Sequence, residues 1–321
     1  MKQGPTTVGS SSSKTIDWKV ALVAFFLSAF WGGNVIAIKF TLTAFSPLWN
    51  AFWRLLVASP ILYGWTRARG VSLMPASGEL RQFCILSGVF VVQITLLNFG
   101  THFTSAAYAS VLMNSYPIFT NVVAHFFVSD DRITPLRVLG LTAAFAGICI
   151  ALLGEPDGRM ASQPVFGNVI CVGTALLFAV RMIYTQYLVR STDPSRTIFW
   201  QTIAAIPVFG LAALLFEPYP ILPIRWTTLM ALLYQGTIAG GLAFIVWAKL
   251  LRRVPAGALS VFSFPTPIFG VLFSAWFFSE AIPSALVVGV IGVVVGIVVV
   301  TLESQPEDRI RKSNKLSRPG V

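Results

Sequence analysis

The chain has 321 residues, of which 55% are hydrophobic and only 11% are charged, with 23 lysines and arginines against 12 acids. A soluble domain of this size carries about one quarter charged residues, so the composition excludes a water-soluble enzyme. It indicates a polytopic membrane protein, and within that class the net charge of +11 must be explained.

The two ends of the chain are polar, and we expect an N-terminal tail over residues 1–18 and a basic C-terminal tail over residues 304–321, close to anionic lipid. The apolar stretch 20–38 has no small-residue cleavage site and is long for a signal peptide, so it is predicted to be a retained span. Cys84, Cys149 and Cys171 have no spacing that suits a disulfide framework or zinc. Neither a metal site nor a cofactor is therefore expected.

A bilayer span needs about 20 mostly apolar residues, so the spans can be counted by cutting the chain at its charges. The 48-residue run 82–129 is too long for one helix, and the polar patch at 100–105 divides it in two. Two further spans carry one arginine each, Arg54 and Arg181. The sequence thus predicts an all-α protein of ten transmembrane helices, drawn from residues 20–38, 47–66, 82–129, 138–154, 166–189, 197–216, 226–248, 254–279 and 281–302.

The basic residues predict the orientation of these helices. If the N-terminus is cytoplasmic, 18 of the 23 lie in cytoplasmic segments, two (Arg159 and Arg225) lie outside, and three (Lys39, Arg54 and Arg181) lie within helices. Both termini are therefore expected in the cytoplasm. The basic excess is a topology signal, and no basic patch interleaved with aromatic residues indicates a nucleic-acid partner.

Two parts of the chain repeat. Residues 110–119 and 260–269 are identical at five of ten positions, and Asp131 precedes Gly140 by the interval that separates Glu280 from Gly289. These matches indicate an internal duplication, with one unit over 19–154 and the other over 155–303. Because each unit holds five helices, an odd number, the second must be inverted in the membrane, an arrangement that places a binding site near the midplane and permits alternating access.

Several motifs together resemble a known family. They are Phe-Trp-Gly-Gly-Asn at 30–34, Arg54, Ser-Ala-Ala-Tyr-Ala at 105–109, the two Pro-Ile-Phe blocks and the acid-to-glycine spacing after each. Over residues 20–154 and 165–302 the chain resembles the EamA-type members of the drug/metabolite transporter superfamily, and within it the YddG-type amino-acid exporters of the bacterial inner membrane. The resemblance implies a ten-helix basket around a central cavity and export of aromatic or a broader range of amino acids.

All twelve acids fall in loops, tails or at helix ends, so no carboxylate is expected at mid-depth to carry a proton. His102 and His125 lie near helix ends, where packing is the simpler role. We therefore expect facilitated transport, with proton antiport as the alternative.

Three cations lie within spans, and a cation costs about 2.5–3.5 kcal/mol at the centre of a span on insertion scales. Lys39 lies near a helix end and is expected to snorkel. Without an acid at the depth of Arg54 and Arg181, the carboxylate of a substrate is a plausible partner for one of them, and bonds to carbonyls of a neighbouring helix are the alternative for Arg54.

Prolines within the fourth and ninth helices predict breaks whose freed backbone groups could hold a zwitterion, although proline is also frequent in membrane helices that bind nothing. The predicted breaks are at Pro117, Pro265 and Pro267. Uncharged polar and aromatic side chains complete a candidate substrate-binding set, although packing between helices would use the same residues. With the two arginines, this set is Trp31, Asn34, Arg54, Gln93, Asn98, Tyr108, Met113, Asn114, Tyr116, Arg181, Tyr184, Gln235 and Phe264, and Trp247 and Ser263 are weaker members.

The leading functional hypothesis is an inner-membrane exporter of amino acids, with lipid as its surroundings and no indication of an oligomeric state. A sugar, a nucleotide sugar or a cationic drug on the same fold is the alternative, although the ninth helix has no Lys or Arg for a phosphate. No HExxH, GxSxG or paired-acid arrangement lies within the spans, which disfavours an intramembrane enzyme. A passive scaffold role has little support in an inverted repeat with embedded arginines.

Overall fold

The computed structural model describes residues 18–127, 135–156, 158–219, 224–254, 256–261, 263 and 265–303, and all regular structure within them is helical. Ten helical rods follow one another, and two of them consist of two pieces. They are α1 Trp18–Thr41, α2 Pro47–Ala68, α3 Glu79–Phe103, α4a Ala106–Met113 with α4b Tyr116–Phe127, α5 Pro135–Leu152, α6 Pro164–Val189, α7 Pro194–Phe216, α8 Trp226–Leu251, α9a Ala256–Val261 with α9b Pro265–Phe278, and α10 Ser284–Glu303.

The predicted ten-helix, all-α class is confirmed. Among the described residues, five rods are long and apolar enough to cross a membrane by length and composition, namely α1, α3, α6, α7 and α8. Large apolar side chains also cover the outside of the bundle: Val169, Leu211 and Trp276 are each more than half exposed. Such a surface suits contact with lipid tails rather than water.

The fourth and ninth rods are interrupted at equivalent places. Asn114 and Ser115 separate α4a from α4b, and Ser263 lies in a turn between Val261, where α9a ends, and Pro265, where α9b begins. Pro117 is the second residue of α4b and Pro265 the first of α9b, with Pro267 two residues later. Each proline therefore lies in the first turn of a new helix, where its missing N–H breaks no helical bond. Pro207, by contrast, lies inside the uninterrupted α7.

The packing of the rods has the symmetry of an inverted repeat. Helix α1 packs against α8 and α9b, and the corresponding helix α6 packs against α3 and α4b; α2 packs against α8 as α7 packs against α3. In the crossing of α4 and α9, the first piece of each contacts the second piece of the other. This exchange of halves shows that the two rods run in opposite directions.

Glycines permit the closest of these contacts, between α5 and α10. A Cβ on Gly147 would lie 2.6 Å from the carbonyl oxygen of Gly289, and Gly296 meets the backbone of α5 at Gly140. These are the glycines that follow the acids of the repeat at fixed spacing. Glu280 is described below, whereas Asp131 lies outside the described residues.

In α8 a π-helical turn, Gln235–Leu242, interrupts the α-helix. Gly236 in this turn packs directly on the carbonyl oxygen of Arg54 in α2, where a Cβ would lie 2.9 Å away. Turns of this kind are common at functional sites. Here the turn brings α8 next to the one arginine of the middle of α2.

Substitution of Gly147 by alanine tests the α5–α10 contact. We expect Gly147→Ala to lower the free energy of unfolding by about 1–3 kcal/mol, because the new methyl group meets backbone that must shift. Gly88→Ala is the matched control: nothing lies within 4 Å of that position, and removal of a flexible glycine from α3 should stabilise slightly. Thermal unfolding of the purified protein in detergent measures both. Equal melting midpoints for the two variants would contradict the close contact.

Candidate functional site

A cavity lies at the centre of the bundle, where α1, α2, α3, α4, α6 and α8 meet. It is partly open to its surroundings, and about 530 Å³ of space not occupied by protein atoms, with that open side counted, lies within its lining. Seven members of the candidate set line it: Trp31, Asn34, Arg54, Gln93, Met113, Asn114 and Tyr116. Four further lining residues were not in that set: Ile94, Leu97, Phe178 and Phe244.

The lining combines apolar walls with polar atoms that have no protein partner. Trp31 Nε1, Asn34 Oδ1 and Gln93 Oε1 are buried and make no hydrogen bond within the described structure. The side-chain amide of Asn114 instead donates to Ser110 O in its own helix, at 2.6 Å. A buried polar atom without a partner is costly, and a ligand that carries both donors and acceptors could pair with the open groups around this cavity.

Arg54 provides the charge of this cavity. Its side chain is 1% exposed, and its Nε and Nη1 atoms have no hydrogen-bond partner. Among the residues that line the cavity none is acidic. A guanidinium in such a place is stabilised by an anion, and no described side chain at the cavity provides one.

Arg181 lies beside the cavity, in different surroundings. The guanidinium lies over three phenyl rings, 4.7 Å from the centroid of Phe178, 5.0 Å from that of Phe244 and 5.3 Å from that of Phe90. Its Nη1 donates to Gln201 Oε1 at 3.3 Å, while its Nε has no partner. Cation–π contacts of this kind contribute about 0.5–2 kcal/mol each.

Arg181 also lines a second, smaller cavity. Phe178 and Phe244 line both cavities and so separate them. Thr185 and Trp247 lie on the wall of the smaller one. The ring of Trp247 meets that of Trp31 edge-on, with centroids 4.8 Å apart.

Asn98 and Gln235 belong to a buried cluster that joins helices and lie apart from the cavity wall. Asn50 Nδ2 donates to Asn98 Oδ1 at 2.6 Å, and Gln235 Nε2 donates to Thr41 Oγ1 at 2.8 Å. Asn50 and Gln235 approach each other at 3.4 Å. The cluster thus connects α1, α2, α3 and α8 by side-chain amides.

The remaining members of the candidate set lie elsewhere. Tyr108 is fully buried in a second core formed with α5 and α10. Tyr184 is half-buried and stacks on Tyr187, and Ser263 is buried at the α9 interruption. Phe264 lies outside the described residues.

Lys39 does not snorkel as expected. It is 8% exposed, and its Nζ donates to Met160 O at 2.6 Å and to His102 O at 3.4 Å. The ammonium group therefore joins the end of α3 to the segment before α6. Backbone carbonyl oxygens accept its hydrogen bonds, whereas the sequence led us to expect lipid headgroups and water in that role.

The described acids lie in loops or at helix ends, as the sequence predicts. Glu217 accepts hydrogen bonds from Leu48 N and Trp49 N at the start of α2, and the buried Glu280 accepts from Ala107 N at the start of α4a and from the Ser274 hydroxyl. A carboxylate at a helix N-terminus is favourable because the helix dipole and the open N–H groups attract it.

Asp193 caps α7 in the same way, in the loop before that helix. Burial raises the pKa of its carboxyl group. Hydrogen bonds from the Ser195 hydroxyl, Ser195 N and Arg196 N have a larger, opposite effect, so the pKa lies below its ordinary value. The acid therefore stays ionised near neutral pH. Within the described part of the chain, no carboxylate lines either cavity.

Sequence reasoning missed the phenyl rings around Arg181 and the amide of Gln201. One signal was available: Phe178 precedes Arg181 by three residues, as Trp31 precedes Asn34. In a helix that spacing places both side chains on one face. The aromatic residues of α6 could have been found by that comparison.

Comparison with known proteins assigns most of this chain to one family. Residues 18–153 and 165–302 match the model of the EamA-like transporter family. An uncharacterized transporter of Archaeoglobus fulgidus is 24% identical over 279 residues, with 84% of this chain and 93% of that protein covered. A probable amino-acid metabolite efflux pump of Salmonella typhimurium is 24% identical over 289 residues, with 87% and 93% covered.

The fold is also similar to that of a solved protein crystal structure, with a TM-score of 0.69 and 20% identity. The similarity covers 89% of this chain and 99% of the other. At this identity the likeness concerns the fold.

Replacement of Asn98 tests the amide cluster. We expect Asn98→Leu to lower the free energy of unfolding by about 1–3 kcal/mol, because Asn50 loses its closest acceptor in a buried position. Thermal unfolding in detergent measures the loss. A control, Ser59→Ala, removes an exposed hydroxyl that bonds only within its own helix, and should leave the midpoint in place. An unchanged midpoint for Asn98→Leu would show that the cluster does not hold the helices together.

Proposed function

We propose that this chain, which belongs to the EamA-like transporter family, carries amino acids across a bacterial inner membrane by alternating access. The observation that carries the proposal is the set of open polar atoms around the central cavity. Arg54 and Trp31 offer donors, and Asn34 and Gln93 offer acceptors. A zwitterion needs both: donors for its carboxylate and acceptors for its ammonium group.

The rest of the lining supports a partly apolar side chain on the ligand. Phe178, Phe244 and Tyr116 form aromatic walls, and Met113 provides an adaptable one. An aromatic or large aliphatic amino acid suits such walls. The relatives named as probable amino-acid metabolite efflux pumps agree with this class.

Facilitated transport follows from the position of the acids. Described carboxylates hold helix ends, and both cavities are lined without one. A proton carrier in the path is therefore missing among the described groups. The excess of lysine and arginine in alternate loops supports cytoplasmic termini, and the export direction rests on the named relatives.

Transport into liposomes tests the proposal. We expect saturable counterflow of at least one radiolabelled aromatic or aliphatic amino acid, with a rate that an imposed pH gradient leaves unchanged. Empty liposomes and a sugar panel serve as controls. Flux that depends on the pH gradient would overturn facilitation, and sugar flux without amino-acid flux would overturn the substrate class.

Arg54→Gln tests the anchor for the carboxylate. We expect a fall of about 10- to 100-fold in kcat/KM, because a hydrogen bond to a charged group is worth about 1.5–3 kcal/mol. Arg67→Gln, at the exposed end of the same helix, is the matched control and should transport as the parent does. Arg181→Gln should also weaken transport more than expression. Full activity of Arg54→Gln would remove that residue from the site.

A further inference from the structure

The two halves of the chain can be aligned through their first two helices with one constant shift. Adding 147 to the residue number relates α1 and α2 to α6 and α7, with identical residues at Pro47 and Pro194, Phe52 and Phe199, Trp53 and Trp200, Ala58 and Ala205, and Pro60 and Pro207. The same shift places α1 on α6 and α2 on α7, with helix bounds that agree within one residue. No gap is therefore needed in the loop between them.

Contacts in the structure support this alignment independently. Trp31 and Phe178 are equivalent by the shift, and their rings meet edge-on with centroids 6.4 Å apart, as expected for two residues on opposite sides of a twofold axis. Ser87 of α3 donates to Gln201 O at 3.1 Å. Gly236, in the equivalent helix α8, packs on the equivalent atom, Arg54 O.

By the same shift Asn34 is equivalent to Arg181, and Arg54 is equivalent to Gln201. Each half therefore carries one guanidinium and one carboxamide at the same two places, with the two groups exchanged between the helices. We call Asn34 with Arg54 the first pair, and Arg181 with Gln201 the second pair. Arg54 and Gln201 each lie seven residues after the first residue of their helix, α2 and α7. Because the halves are inverted, the two pairs lie toward opposite faces of the bundle.

The two pairs are in different states. The second pair is closed, with the bond of 3.3 Å from Arg181 to Gln201. The first pair is open: both members line the central cavity, and Arg54 Nε, Arg54 Nη1 and Asn34 Oδ1 have no hydrogen-bond partner. The structure thus shows the hydrogen-bonded and the separated form of equivalent guanidinium–carboxamide pairs in one molecule.

We propose that the pairs act as two latches, one for each face of the bundle. They also act as successive anchors for the carboxylate of the substrate, and the identity of that anion rests on the proposed function. A closed pair holds its two helices together and shuts its face. A carboxylate binds a guanidinium more strongly than a neutral carboxamide does, so an arriving substrate displaces the amide. The state described here has the second face latched, and the inverted repeat implies an opposite state with Arg54 on Asn34 and Arg181 released.

Two reporters placed one turn nearer to each face test the latches. Ile38 and Thr185 are equivalent by the shift and are 0% and 3% exposed, so both are shielded in the state described here, and an open pair releases its face without by itself exposing it. Labelling at each position therefore reports how often that face opens. Each is changed to cysteine separately, in a parent protein with Cys84, Cys149 and Cys171 replaced by alanine. The rate of maleimide labelling is then measured without any substrate, on full-length protein in liposomes.

Removal of each amide should unlatch its own face. We expect Gln201→Ala to raise labelling at position 185 about tenfold and to leave position 38 unchanged or slower, and Asn34→Ala to do the reverse. Gln201→Glu supplies a carboxylate to Arg181 and should lower labelling at position 185 below the parent rate. Asn168→Ala removes a buried amide that bonds Thr104 outside the cavities, and should shift neither rate.

The latches are refuted if Gln201→Ala and Asn34→Ala move both reporters in the same direction, or if neither moves them while Gln201→Glu behaves as the parent. Gel filtration shows whether each variant is folded. If an alanine variant is not folded, Gln201→Glu still tests the second latch. Labelling requires no substrate. Opposite shifts of labelling in a protein that transports no amino acid would therefore uphold the latches and refute the substrate class. Amino-acid transport with unshifted labelling would uphold the substrate class and refute the latches.

Discussion

The buried guanidinium groups of α2 and α6 are the constraint on which the rest of the structure depends. Charge in the middle of a membrane protein is tolerated only where a partner or a cavity receives it, and no described acid reaches Arg54 or Arg181. The fold meets this constraint in two ways. Three phenyl rings and an amide hold Arg181, whereas Arg54 is left facing a cavity. This difference is the reason for our proposal that the cavity binds an anion.

The scaffold around the arginines is built so that the cavity stays open while the helices pack closely elsewhere. Glycines let α5 and α10 touch along their backbones, and carboxylates in loops hold the starts of α2 and α4a. The interruption of α4 at Asn114 places a side chain and a helix start at the cavity wall. Close helix contacts around an open centre are compatible with the proposed movement of the two halves against each other.

Much of the fold could be predicted from the sequence, because span length and loop charge are properties of the linear chain. The number of helices, the break before Ala106 and the interruptions near Pro117 and Pro265 follow from it. The orientation of each helix does not, since these helices are apolar on all sides and carry no stripe to mark the inner face. Residue type alone could not show that Asn98 and Gln235 join helices while Asn34 lines the cavity. Nor could it show that Glu280, which lies at a helix end in the sequence, is buried against the start of α4a.

Equilibrium binding to the purified protein tests the central claim most directly. Isothermal titration would compare the best transported amino acid with the same compound after its carboxylate is converted to an amide. If the open guanidinium of Arg54 receives the carboxylate, the amide should bind at least about tenfold more weakly, and Arg54→Gln should reduce that difference. Equal affinities for the two ligands in the parent protein would contradict the account.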